Sequence, residues 1–123
     1  MPVLVAIVGN FLGQVAGAGE AVRVTRSMDA KLAGAVLHKV APLFTAGFGQ
    51  AEANRVEQDI NSLRPDRRTV WDFNVQYQGK AQSLKIIAQL DELGQIDLDF
   101  AIAAEAAAAV RTAVDGYLNS HGH

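Results

Sequence analysis

The stretch that decides the fold is Val70-Trp71-Asp72-Phe73-Asn74-Val75-Gln76-Tyr77-Gln78. Trp71, Phe73, Val75 and Tyr77 fall on one side of an extended chain, and Asp72, Asn74 and Gln76 on the other. This period of two, carried by aromatic and β-branched residues, marks a strand with one buried face. Gly79-Lys80 follows as a predicted turn, because tight hairpins need positive φ. A second strand is expected from about Ala81 to Leu90, with Leu84, Ile86, Ala88 and Leu90 on a common face. After the turn Asp91-Glu92-Leu93-Gly94, Ile96, Leu98 and Phe100 alternate with Asp97 and Asp99 in a third strand. Short turns between consecutive strands imply antiparallel neighbours, so residues 69–100 read as a three-stranded meander.

Working outward, the alanine-rich stretch 103–118 reads as a helix. Ile102, Ala106, Val110, Val114 and Tyr117 supply its apolar stripe. Residues 119–123 read as a frayed tail. Upstream, a helix is expected over about 28–41, capped by Ser27 and stopped by Pro42. A second, over about 50–63, shows the narrower stripe Val56, Ile60, Leu63 and ends before Pro65. Phe44 and Phe48, in the glycine-containing connection between these helices, read as exposed aromatics on a flexible loop. Ala21–Thr25 reads as a short strand. The run Val3-Leu4-Val5-Ala6-Ile7-Val8 favours an extra N-terminal strand, with a glycine-containing helix over 3–18 as the rival reading. The fold class expected is α+β: a single domain in which helices cover the Trp71/Phe73/Val75/Tyr77 face of the meander as a two-layer sandwich.

Composition narrows the function classes. The 123 residues are 50% hydrophobic and 20% charged, as in an ordinary globular domain. With no cysteine, disulfides, thiolate metal ligands and cysteine nucleophiles are excluded, and a reducing, cytoplasmic setting is the expectation. The net charge of −2 gives no global attraction to nucleic acid, and no nucleic-acid partner is expected. Charge is unevenly spread: residues 1–68 hold eight Lys/Arg against six Asp/Glu, and residues 69–123 hold three against seven. Residues 1–19 carry no charge, but they lack a basic signal-peptide start and are interrupted by polar residues and glycines, so a membrane span is not expected.

Several constellations invite a chemical reading. Gly9, Gly13 and Gly17 would form a smooth ridge on a helix, suited to self-association. Gly9-Asn10-Phe11-Leu12-Gly13 lacks the glycine spacing of a dinucleotide site, and no P-loop is present, so no cofactor is expected. Pro2 would offer a basic amine only without Met1, and reads as passive. On the polar face of the meander, Asp97 and Asp99 stand two apart, where carboxylates share a proton or a cation, with Asp72 and Lys85 nearby. Arg64, Arg67 and Arg68 are candidates to bind an anion. Trp71, Phe73 and Tyr77 are candidates to line an apolar pocket. His38, His121 and His123 make neither a metal set nor a catalytic triad, and no catalytic or metal residue is assigned.

Two function classes follow. The preferred one is a non-catalytic interaction module that forms a homo-oligomer, drawn from the uncharged N-terminal run, the exposed-looking Phe44 and Phe48 and the free edges of the sheet. The other is a small-molecule-binding protein or small enzyme with an apolar pocket between sheet and helices.

Overall fold

The computed structural model describes residues 21–121. Strand β1 (Ala21–Met28) leads into helix α1 (Ala30–Val40), a 3-10 turn (Ala41–Leu43) and helix α2 (Gln50–Ile60). Strands β2 (Arg68–Tyr77), β3 (Lys80–Leu90) and β4 (Ile96–Ala103) follow, and helix α3 (Ala104–Ser120) closes the chain. The four strands form one antiparallel sheet in the order β1-β4-β3-β2. The meander and the α+β class expected from the alternation are therefore present. β1 and β2, consecutive strands in sequence, occupy opposite edges, and the α1–α2 pair makes the connection between them.

The hairpin between β2 and β3 turns one residue earlier than expected. Gln78 and Gly79 both have positive φ (50° and 80°), the pairing that matches the twist of a two-residue hairpin. Lys80 thereby joins the sheet opposite Tyr77. β1 runs to Met28 rather than stopping near Thr25, because Met28 pairs with Ile96 and is fully buried. This moves the start of α1. Ser27 stays in the strand, and Asp29 caps the helix, accepting a hydrogen bond from the Leu32 amide at 2.7 Å. α2 ends at Ile60, a turn short of the expected boundary. Ile102, read above as helical, belongs to β4 opposite Val22. Asn119 and Ser120 are helical rather than frayed, and the His121 ring stacks on Tyr117. The expectations for Pro2, for residues 3–8 and 3–18, for Gly9, Gly13 and Gly17, and for His123 lie outside the described residues.

All three helices lie on one face of the sheet. Met28, Val24, Leu84, Ile86, Ala88, Ile96, Leu98, Phe100 and Ile102 point into it from the strands, and Val36, Leu37, Val40, Val56, Ile60, Val110, Val114 and Leu118 meet them from the helices. α1 packs between α2 and α3, and α3 lies on β1 and β4. One charged side chain from this face, Arg26, is drawn in by α3. Its Nε and Nη2 bond Asp115 at 2.7 and 2.9 Å, and that carboxylate raises the guanidinium pKa while burial opposes it.

Phe44 and Phe48 overturn the expectation of exposed loop aromatics. Phe44 is 7% exposed and Phe48 fully buried. Their rings form an edge-on row with the meander: Phe48 lies 5.0 Å from Phe73 and Phe44 lies 6.2 Å from Tyr77. The backbone of the connection fastens this row. Thr45 N–H donates to the Gln76 carbonyl at 2.9 Å, and Gln76 N–H donates to the Ala46 carbonyl at 3.0 Å. Gly47 permits the approach, since it adopts φ +92° and a Cβ there would lie 2.7 Å from the Val75 Cα. The loop that looked flexible is thus a lid over one end of the β2 edge.

Candidate functional site

The candidate residues separate into three places. The aromatic trio sits in the core layer rather than free around a ligand space. Trp71, Phe73 and Tyr77 are half-buried, Phe73 and Tyr77 meet Phe48 and Phe44, and the Trp71 indole N–H donates to Asp59 Oδ2 at 3.1 Å. Their contacts are those of structural side chains.

The second place is the sheet face turned away from the helices. No described helix or strand packs on it. Its rows follow from the register: Ser27–Asp97–Gln89–Arg68, then Thr25–Asp99–Ile87–Val70, then Arg23–Ala101–Lys85–Asp72. Ala21, Ala81, Ser83 and Ala103 continue the pattern of small side chains. Asp97 and Asp99 do project to one side, but each has its own partner from β1. Arg23 Nη2 donates to Asp99 Oδ2, and Ser27 Oγ donates to Asp97 Oδ1. Lys85 Nζ lies 4.0 Å from Asp72 Oδ1. The two carboxylates are therefore held apart in separate cross-strand pairs, and among the described residues no group of three or more His, Asp or Glu could hold a metal ion. Asp99 is the one buried charged residue of the described chain, and its Oδ1 has no hydrogen-bond partner there. Val70, at the β2 end of the same row, is 43% exposed. Backbone groups of alternate residues point off the β2 edge. Gln76 is engaged by the 44–48 loop, which leaves those of Val70 and Asp72 clear of it.

The third place is the turn between α2 and β2. Asp59, Ser62, Leu63, Arg64, Arg67, Arg68 and Thr69 line an open cleft of about 430 Å³. The turn is tightly held: the Arg67 amide donates to the Arg64 carbonyl at 3.2 Å, Asp66 takes φ 72°, and Pro65 bridges to Leu90 at the end of β3. Asp and Asn tolerate that left-handed region better than other side chains. The three arginines read as anion candidates are thus brought to one concavity. A second cleft, of about 360 Å³, lies between α1 and α3 and is lined by Lys39, Thr112, Ala113, Gly116, Tyr117, Ser120 and His121. The sequence reading missed it, since its residues come from two helices whose packing no local pattern reveals.

His38 sits between α1 and α2 as a half-exposed helix residue. Its Nδ1 meets Gln50 Oε1 and its Nε2 lies 3.1 Å from Glu57 Oε1. At the start of α2, the Gly49 amide donates to Glu52 Oε1 at 2.8 Å. That bond, with one to its own amide, lowers the Glu52 pKa.

Compared with known protein families, with curated proteins and with solved structures, the chain finds no match.

Proposed function

We propose that the protein is a non-catalytic interaction module that associates with a second copy of itself through the sheet face on which no described helix packs. The observation that carries this reading is the make-up of that face. Small side chains (Ala21, Thr25, Ser27, Ala81, Ser83, Ala101) stand between the longer Arg23, Arg68, Lys85 and Gln89 and leave room for another sheet to approach at the usual spacing of roughly 10 Å. Its charges are largely closed into pairs within the face, Arg23 with Asp99 and Lys85 with Asp72, so little isolated charge opposes an incoming surface. A two-fold contact brings identical patches together, and a face that carries both signs in balance meets its own copy without net repulsion. The net charge of only −2 adds little long-range repulsion between copies.

Val70 gives this face an apolar foothold beside Ile87, next to the part of the β2 edge that the 44–48 loop leaves clear. Phe44 and Phe48 are buried and do not offer an aromatic contact surface. The test is light scattering across a wide concentration range. A mass of two chains that falls toward one on dilution supports the reading, and one chain mass at every concentration overturns it.

A further inference from the structure

The arginine turn carries an inference independent of self-association. Arg64, Arg67 and Arg68 all face one cleft, and all three residues are exposed. Among the described residues none of their guanidinium groups forms an ion pair or a side-chain hydrogen bond. Elsewhere in the chain Arg23, Arg26, Lys80 and Lys85 each have a carboxylate partner. Guanidinium stays charged at any physiological pH and presents a planar fork of donors that matches phosphate oxygens. The backbone that carries the three arginines is held by the Pro65 bridge to β3 and by the Arg64–Arg67 hydrogen bond, so the backbone part of the ordering cost of binding is already met.

The opposite wall narrows the ligand further. Asp59, in the last turn of α2, lines the same cleft, and among the described residues only its Oδ2 is taken, by the Trp71 indole. A bare anion gains from three cations but is opposed by this wall, whereas a ligand that also carries hydroxyl donors can satisfy Asp59 Oδ1. Among the described residues no aromatic ring lines the cleft to stack a base. Its volume suits a small molecule.

We propose that this cleft binds a small phosphate monoester bearing adjacent hydroxyl groups, with the phosphate on Arg64, Arg67 and Arg68 and a hydroxyl on Asp59. The full chain is titrated with glycerol 3-phosphate, inorganic phosphate and glycerol, and binding is read from chemical-shift changes of the residue 59–69 amides. Glycerol 3-phosphate is expected to saturate these shifts and to bind about tenfold more tightly than inorganic phosphate, the worth of one added charge-assisted hydrogen bond. Arg64→Gln with Arg67→Gln should weaken glycerol 3-phosphate by more than about tenfold at unchanged far-ultraviolet circular dichroism, and Arg67→Lys by less, because it keeps the charge and loses the fork. Asp59→Asn should bring inorganic phosphate and glycerol 3-phosphate closer together in affinity, chiefly by strengthening phosphate. No saturable shift with any phosphate, or equal binding by the arginine variant, would overturn the proposal. Equal affinity for the two phosphates in the unaltered chain would overturn the role of Asp59, and tighter binding of a single-stranded RNA oligonucleotide to the same amides would overturn the small-molecule class.

Discussion

The two faces of the sheet are built from the same strands by opposite means. Toward the helices, alternate residues are large and apolar, and Leu84, Ile86, Leu98, Phe100 and Ile102 are buried to within 1%. Away from them, small residues such as Thr25, Ser27, Ser83 and Ala101 alternate with polar and charged ones, of which Arg23 pairs with Asp99 and Lys85 with Asp72 across strands. The first face accounts for folding: each large side chain removed from water contributes roughly 1.5–3 kcal/mol. The second contributes little to that. Under the proposed function, stability and interaction are divided between alternate positions of the same strands, and a substitution on one side should leave the other nearly untouched.

The largest break in this division should come from the helix side. Phe48→Ala removes a fully buried ring from the row with Phe73 and Phe44 and should destabilise the fold by about 3–5 kcal/mol, read from denaturant unfolding. On the other face, Arg23→Ala strands the buried Asp99 carboxylate, whose Oδ1 already lacks a partner. Arg23 itself is more than half exposed, so the expected loss is smaller, about 1–2 kcal/mol, and Asp99→Asn in the same background should recover part of it. A full recovery of stability by salt alone would contradict a buried carboxylate as the cause.

These contrasts also show what was legible in the residues. The meander was, because Trp71, Phe73, Val75 and Tyr77 alternate without interruption and Gly79 marks the hairpin. The cap of α1 was misread because Ser27 and Asp29 are both good capping residues, and the choice depends on Met28 being claimed by a strand partner, Ile96, far along the chain. Phe44 and Phe48 were misread because their neighbours suggest a loop, while their burial comes from a backbone bridge to Gln76. Asp97 and Asp99 were rightly placed on one side, but their partners Ser27 and Arg23 are set by the β1–β4 register, which no local pattern encodes. The three arginines stood out by composition. The cleft they share with Asp59 needed the turn geometry.

Two smaller effects sharpen the comparison. Val70→Lys places a charge at the rim of the face on which no described helix packs and should change folding stability by less than about 1 kcal/mol while weakening the proposed self-association, as measured by sedimentation. Near the helix layer, the lowered Glu52 pKa fixes a sign for pH dependence. Its bond to the Gly49 amide favours the folded state above the ordinary carboxylate range, and that contribution is lost as pH falls through the lowered value. Glu52→Gln should therefore flatten the acid limb of an unfolding curve slightly, and a steeper limb would reverse the assignment.

The proposed division between the two faces is put to the test by Ala101→Arg, at the middle of the face on which no described helix packs, where Ala101 is flanked by Arg23 and Lys85. Sedimentation equilibrium of the unaltered chain and of this variant at matched concentrations gives the result. A reversible dimer is expected for the unaltered chain and a monomer with unchanged circular dichroism for the variant, because the added guanidinium joins Arg23 and Lys85, unbalances the charge of the face and meets its own copy across the two-fold axis. A dimer of equal strength in both would contradict it.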